Sequence, residues 1–231
     1  MITVLRQEEK YPLDLYYARL YANQFEAVLM TDKFSKEGSY MVRSLYFDTP
    51  DDKDFFDKIT EKNLRRKIRL RIYNTKDTKV KLELKQKENI YQKKRSLSIS
   101  KKDALELIEG NYSVLLNYKE DLAAELFAIM SMEVYKPKSI VEYQRRAFMA
   151  KENNIRLTFD SDIRATESSF DLFAEDLSLA PVFPVDKVVF EVKYDKFMLS
   201  YISDIISGIN AGKISSSKYC LSRKLGYPLQ L

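Results

Sequence analysis

The sequence predicts an α+β fold: a closed antiparallel β-barrel or tunnel of about eight strands, with a charged lumen and helices packed on the outside. Three observations predict it. Extended segments recur along the whole chain, several of them alternate strictly between apolar and long charged side chains, and helices with apolar faces are inserted between some of them. The 231 residues are 45% hydrophobic and 32% charged, with no linker, repeat or low-complexity tract. Residues 1–231 therefore read as one folded domain.

The strands predicted from this pattern are Leu5 to Tyr11, Tyr40 to Asp48, Arg66 to Asn74, Lys79 to Lys87, Lys94 to Ile99, Val141 to Ala150, Ile155 to Asp162 and Lys187 to Tyr194. Between them, Pro12 to Met30 carries a helical stripe of Leu13, Tyr16, Tyr17, Leu20, Ala27 and Val28. Thr49-Pro50-Asp51-Asp52 supplies a cap, a proline for the first helical position and acids for the first turn, ahead of Phe55, Phe56 and Ile59. Ser100 to Asp103 resembles a capping box before Leu105, Leu107 and Ile108. Two more stripes follow, Leu122, Leu126, Ile129 and Met130, then Met198, Ile202, Ile205, Ile206 and Ile209.

The strand faces carry the functional signal. Lys67, Arg69 and Arg71 alternate with Ile68, Leu70 and Ile72, while Lys81, Glu83 and Lys85 alternate with Val80, Leu82 and Leu84. Arg6, Glu8 and Lys10 share one face of the first strand. Arg156, Thr158, Asp160 and Asp162 share another, and Lys187, Val189, Glu191 and Lys193 a third. An ordinary half-buried sheet also turns charges to water. Here, however, the apolar helices need the apolar sheet faces, and Glu-x-Lys recurs at Glu8/Lys10, Glu83/Lys85 and Glu191/Lys193. If the sheet closes on itself, those charged faces line its interior, and no edge is left open.

Composition narrows the chemistry. The chain has no histidine, which removes His-based acid/base catalysis and almost every zinc site. The single Cys220 excludes an intramolecular disulfide. A metal must then be held by oxygen, so hard ions such as Mg²⁺ or Mn²⁺ are the candidates. Net charge is +5, which favours anionic partners. The first residues lack an apolar signal segment and no run approaches the roughly 18–20 apolar residues of a membrane span, so a soluble, cytoplasmic protein is expected.

Cations crowded between low-dielectric walls repel one another and persist where a polyanion neutralises them. Arg69 and Arg71 present planar forks suited to phosphate oxygens, and Lys10, Lys85 and Lys193 act as point charges. Carboxylates among them would hold a divalent cation bridging the phosphates. Phosphoryl transfer is mostly positioning and charge stabilisation, which suits a chain without histidine. A phosphate acceptor is already an anion and needs no base; hydrolysis needs a positioned water, for which Glu8 or Glu83 would serve.

The motifs Arg6-x-Glu8-x-Lys10-Tyr11, Ser44 to Thr49, Lys67-Ile68-Arg69-Leu70-Arg71-x-Tyr73, Leu82 to Lys85, Tyr143-x-Arg145-x-Ala147-Phe148, Arg156-x-x-x-Asp160 and Phe190 to Lys193 occur in that order. Together they resemble the polyphosphate polymerase domain of the vacuolar transporter chaperone (VTC) complex in its bacterial form, within the triphosphate tunnel metalloenzyme superfamily. The resemblance covers Leu5 to about Lys224, nearly the whole chain. It implies an ATP-dependent, Mn²⁺- or Mg²⁺-requiring enzyme that adds the terminal phosphate of ATP to a growing polyphosphate. By position, it implies catalytic roles for Lys10, Arg69, Arg71, Lys85 and Glu191, with Arg145 and Arg156 also on the phosphates. Glu191 would be the principal metal ligand, supported by Glu8 and Glu83. Arg6, Lys67, Lys193, Ser217 and Lys218 extend the phosphate-binding set, and one residue of Lys93, Lys94 and Arg95 matches a further contact whose register is open.

Two departures stand out. Arg6 replaces the first glutamate of the superfamily's Glu-x-Glu-x-Lys opening, which leans towards the VTC branch. Ser215 stands where the family has a lysine, three residues before Lys218. The regulatory SPX domain of the eukaryotic enzyme is not expected in this chain, and a membrane-protein partner is compatible with the resemblance. The alternatives are a triphosphate hydrolase and a non-catalytic polyphosphate-binding module; nucleic acid is not the expected partner, since basic charge alone is weak support and most of the sixteen tyrosines fall on helix stripes or beside strand motifs, where packing is the simpler role. Replacing Arg69 or Arg71 with alanine is expected to abolish activity and spare the fold, or even stabilise it. Glu191→Gln is expected to weaken metal dependence most.

Overall fold

All eight predicted extended segments form strands. The computed structural model of the chain describes residues 6–35, 38–89, 91–215 and 217–224, with the backbone alone for Arg6. The elements in order are β1 (Arg6–Asp14), α1 (Leu15–Val28), β2 (Met30–Thr31), β3 (Tyr40–Asp48), α2 (Lys53–Ile59), β4 (Leu64–Ile72), β5 (Lys79–Glu88) and β6 (Tyr91–Ser100). They continue with α3 (Lys101–Ile108), α4 (Asp121–Met132), β7 (Lys136–Met149), β8 (Arg156–Thr166), β9 (Ala180–Pro181), β10 (Lys187–Asp195), α5 (Ser200–Ser207) and α6 (Lys218–Arg223). Leu5, the predicted first residue of β1, lies outside the described residues.

The chain divides into two compact units. The first comprises Met1–Met41, Tyr143–Ile163 and Phe183–Ser217. Its antiparallel ladder runs β1-β10-β8-β7, with β2 paired to β7. One side of this ladder is apolar: Tyr11, Leu13, Leu157, Phe159, Phe190 and Val192 form a core with Ala18, Ala22 and Phe25 of α1 and Ile202 of α5. Helix α1 starts later than predicted, because β1 extends to Asp14 and pairs Pro12 with Val189. Proline is tolerated there because β1 is the last strand of its ladder, where a missing N–H breaks no further pairing. The buried face of α1 also differs. Small Ala18 and Ala22 let the helix approach the aromatic sheet, while Tyr16, Tyr17, Leu20 and Val28 are exposed.

The second unit comprises Val42–Glu142, Arg164–Val182 and Lys218–Leu231, with the ladder β7-β3-β4-β5-β6 and β9 paired to β8. Its core joins Ile68, Leu70, Ile72, Val80, Leu82, Leu84, Leu97 and Ile99 to Ala104 and Leu107 of α3 and Leu122, Leu126 and Met130 of α4. The helices therefore cover the apolar sheet face, as the alternation predicts. Ser100 caps α3 by accepting from the Asp103 N–H at 3.1 Å. At α2 the cap differs from the prediction. Asp48, at the end of β3, accepts from the N–H groups of Asp54 and Phe55, both at 2.9 Å, while Thr49 Oγ1 accepts from Lys53.

The predicted closed barrel is not what the strand pairing gives. Among the described residues the first unit's ladder ends at β1 and the second's at β6, so the sheet is mostly antiparallel and not closed. The outer side of β1 is taken by an irregular segment instead: the Ile214 N–H donates to the Lys10 carbonyl at 2.9 Å and Lys213 Nζ to Glu9 at 2.7 Å.

Candidate active site

In the second unit, antiparallel register aligns the charged positions of three strands. Lys67 lies opposite Lys85, and Lys85 opposite Lys94, giving three lysines in a row across β4, β5 and β6. Directly opposed like charges are unfavourable in a sheet. In the adjoining row Arg69 faces Glu83, and Arg71 lies one row further. The face is shielded unevenly: Arg71 is 6% exposed and Glu83 2%, whereas Lys67, Arg69 and Lys85 are half-buried and Lys94 is exposed.

Glu83 is the counter-charge of this cluster. Arg69 Nε donates to it at 2.7 Å, Arg71 lies at 4.0 Å, and Lys94 pairs with its other oxygen. Burial would raise the Glu83 pKa, but Arg69, Arg71 and Lys94 outweigh it and hold the carboxyl well below the usual range. Lys94 is pushed down to about 8, by burial and by the nearby Arg69 and Arg71 against the pull of Glu83. The arginines are also held from β3. Arg69 Nη1 donates to the Tyr46 hydroxyl at 3.0 Å and Arg71 Nε to Ser44 Oγ at 3.0 Å. Removing either arginine would strip a partner from this network, so the expected relief of repulsion does not hold.

The register separates the residues of the Lys93–Arg95 run by face. Lys94 lies on the Glu83 face, whereas Arg95 lies opposite Leu84 and Lys93 opposite Gln86, on the helix-covered side. Arg95 grips Glu125 of α4 at 2.6 Å, a role in packing that does not fit phosphate binding.

In the first unit, Glu8 lies opposite Lys193 and Lys193 opposite Arg156; Lys10 lies opposite Glu191 and Glu191 opposite Thr158. Lys10 Nζ is 3.2 Å from Glu8 and 3.8 Å from Glu191, and Lys193 Nζ is 2.8 Å from Glu191 and 4.0 Å from Glu8. Burial opposes the charge of Lys10, yet Glu191 and Glu8 prevail and raise its pKa. Arg145 forms a two-pronged pair with buried Asp160 at 2.6 and 2.7 Å and lies 3.9 Å from Glu191. Arg156 pairs with buried Asp32 at 2.6 Å and donates to the Tyr40 hydroxyl at 3.2 Å.

Tyr46, Ser44 and Asp32 were not among the predicted site residues. Alternation on β3 carried the signal for the first two. Asp32 follows a two-residue strand and has no periodic signature. The Arg6 side chain lies outside the described residues. Ser217 and Lys218 are half-buried beside Tyr219, which anchors α6. The Tyr219 hydroxyl donates to Asp48 at 2.6 Å, and its ring stacks on Tyr46 at 5.0 Å.

Among the described residues no three acidic, histidine or cysteine side chains gather as a metal cluster. A hard cation would then use one or two carboxylates and complete its shell with phosphate oxygens and water, as Mg²⁺ commonly does. Glu191 and Glu8, linked through Lys10 and Lys193, fit that habit. Glu83 and Glu191 are each already met by three cations, Arg69, Arg71 and Lys94 for the first and Lys10, Lys193 and Arg145 for the second, so a metal at either would have to displace them.

Among curated proteins none matches the chain. A Bacillus halodurans protein described as a candidate adenylate cyclase shares the fold, with a TM-score of 0.54 at 11% identity over 92% of this chain and 95% of that one. The PH1819 protein of Pyrococcus horikoshii aligns with a TM-score of 0.48 at 12% identity, over 94% of this chain and 97% of its own. The VTC domain family matches residues 5–227, almost the full length, and the chain belongs to that family.

Proposed function

We propose that the protein is a divalent-metal-dependent polyphosphate polymerase that transfers the ATP γ-phosphate to a growing inorganic polyphosphate chain. The observation that carries this reading is the Lys67–Lys85–Lys94 row, three opposed like charges beside the half-buried Arg69 and the buried Arg71. Such a row costs folding free energy unless an extended anion meets it.

In the reaction, an oxygen of the chain-terminal phosphate attacks the γ-phosphorus, the bond from that phosphorus to the β–γ bridging oxygen breaks, and ADP leaves with the electron pair. The nucleophile is an anion, so no general base is required, in keeping with a chain that has no histidine. In the second unit, Arg69 and Arg71 stabilise the charge on the transferring group, while Lys85, Lys94 and Lys67 hold the flanking phosphates. In the first unit, Lys10, Arg145, Arg156 and Lys193 are the phosphate-binding groups. Bound Mn²⁺ or Mg²⁺, held by Glu191 and Glu8, would neutralise phosphate charge. ATP and polyphosphate are the partners in this reading, and nucleic acid is not.

Incubation with ATP and Mn²⁺, followed by gel and phosphorus NMR analysis, tests it. Phosphate chains longer than three units are expected. Orthophosphate alone would assign a hydrolase instead, and tight polyphosphate binding without turnover a non-catalytic module.

A further inference from the structure

Thr158 sits in the middle of the first unit's charged row, opposite Glu191, which in turn lies opposite Lys10. Its neighbours Leu157 and Phe159 point to the apolar core, which fixes Thr158 on the charged side. It is 3% exposed, and among the described residues its Oγ1 has no hydrogen-bond partner. An unsatisfied buried hydroxyl is destabilising, so for folding alone a valine of nearly the same shape would serve better. Lys10, Lys193, Arg145 and Arg156 are all placed around this row, and Asp160 is already committed to Arg145.

We propose that the Thr158 hydroxyl is a further phosphate-binding group, donating to a non-bridging oxygen of the polyphosphate chain beside Lys10 and Glu191. The inference rests on the polyphosphate reading above. A neutral donor at this position adds directionality without adding another repelled cation, and it fixes where a phosphate unit stops along the row.

Calorimetric titration with tripolyphosphate, in EDTA and again with Mn²⁺, tests it on the unsubstituted protein, Thr158→Val and Thr158→Ser. Thr158→Val is expected to melt at the same or a higher temperature yet bind about tenfold or more weakly in EDTA. Thr158→Ser is expected to bind nearly as the unsubstituted protein does. Equal affinity of Thr158→Val, a lower melting temperature for it, or a loss seen only when Mn²⁺ is present would each overturn the assignment. The last would mark the hydroxyl as a metal ligand. If the unsubstituted protein fails to bind tripolyphosphate, the polyphosphate reading falls and this inference falls with it; if it binds and Thr158→Val binds equally, only this inference falls.

Discussion

Glu83 shows how one buried acid makes a cationic surface foldable. Its carboxylate faces Arg69, Arg71 and Lys94, so neutralising it removes a counter-charge that three cations share. Glu83→Gln is expected to cost roughly 3–5 kcal/mol in urea unfolding, and tripolyphosphate to restore more stability to it than to the unsubstituted protein. Lys94 gives a pH signature. With its pKa at about 8, it loses its proton above that pH in the free protein, while a bound phosphate favours the ammonium. Affinity for long-chain polyphosphate, whose internal phosphates do not titrate there, is expected to fall as pH rises through about 8, with proton uptake on binding; calorimetry in buffers of different ionisation heat reads both. Alternation alone placed Arg69, Arg71 and Glu83 on one face. Alternation with Leu97 and Ile99 separates Lys94 from Lys93 and Arg95, but that Lys94 meets Lys85 is fixed by the β5–β6 pairing.

Helices α2 and α6 owe their places to buried carboxylates. Asp48 caps α2 and receives the Tyr219 hydroxyl, while Asp52 accepts from Arg223 at 2.7 Å and pairs with Lys138 at 2.9 Å. Tyr219→Phe keeps the ring stack but loses a bond to a buried carboxylate, and is expected to cost roughly 1.5–3 kcal/mol by chemical denaturation. Asp54, in the first turn of α2, is raised to about 7, by burial and by nearby Asp48, against the opposing pull of Tyr135 and Arg66. The folded state therefore keeps a proton that the unfolded chain releases near the ordinary value of 3.8. Stability from this group is complete below that value and is lost as pH rises through about 7, at up to about 1.4 kcal/mol per pH unit. Asp54→Asn should flatten that part of the stability–pH curve. The helices themselves were legible from periodicity. Their buried faces were less so: in α1 the large residues Tyr16, Tyr17 and Leu20 attracted the assignment, whereas close approach to a phenylalanine-rich sheet selects alanine.

Over the whole chain the charge excess is only +5, because acids such as Glu83, Asp160 and Glu191 are interleaved with the bases. A polyanion would therefore be met by local rows of charge rather than by the net charge. Polyphosphate at about 100 times its Kd is expected to stabilise the protein by about 2.7 kcal/mol, an effect that calorimetric melting should show shrinking as salt is added. The strand inventory and the segregation of charged from apolar faces were readable in the sequence, because period-two patterning records both. Closure was not, because pairing at a sheet's margin depends on backbone partners far along the chain, and Lys213 and Ile214 carry no pattern that announces one. Their contact with β1 has a consequence of its own. A terminal strand with bare amides and carbonyls is a template on which neighbouring molecules can polymerise into fibrils. By occupying the Lys10 carbonyl, Ile214 acts as a guard against self-association, and Ile214→Pro, which deletes the donor, should turn a clear solution turbid on prolonged warming, as light scattering would register.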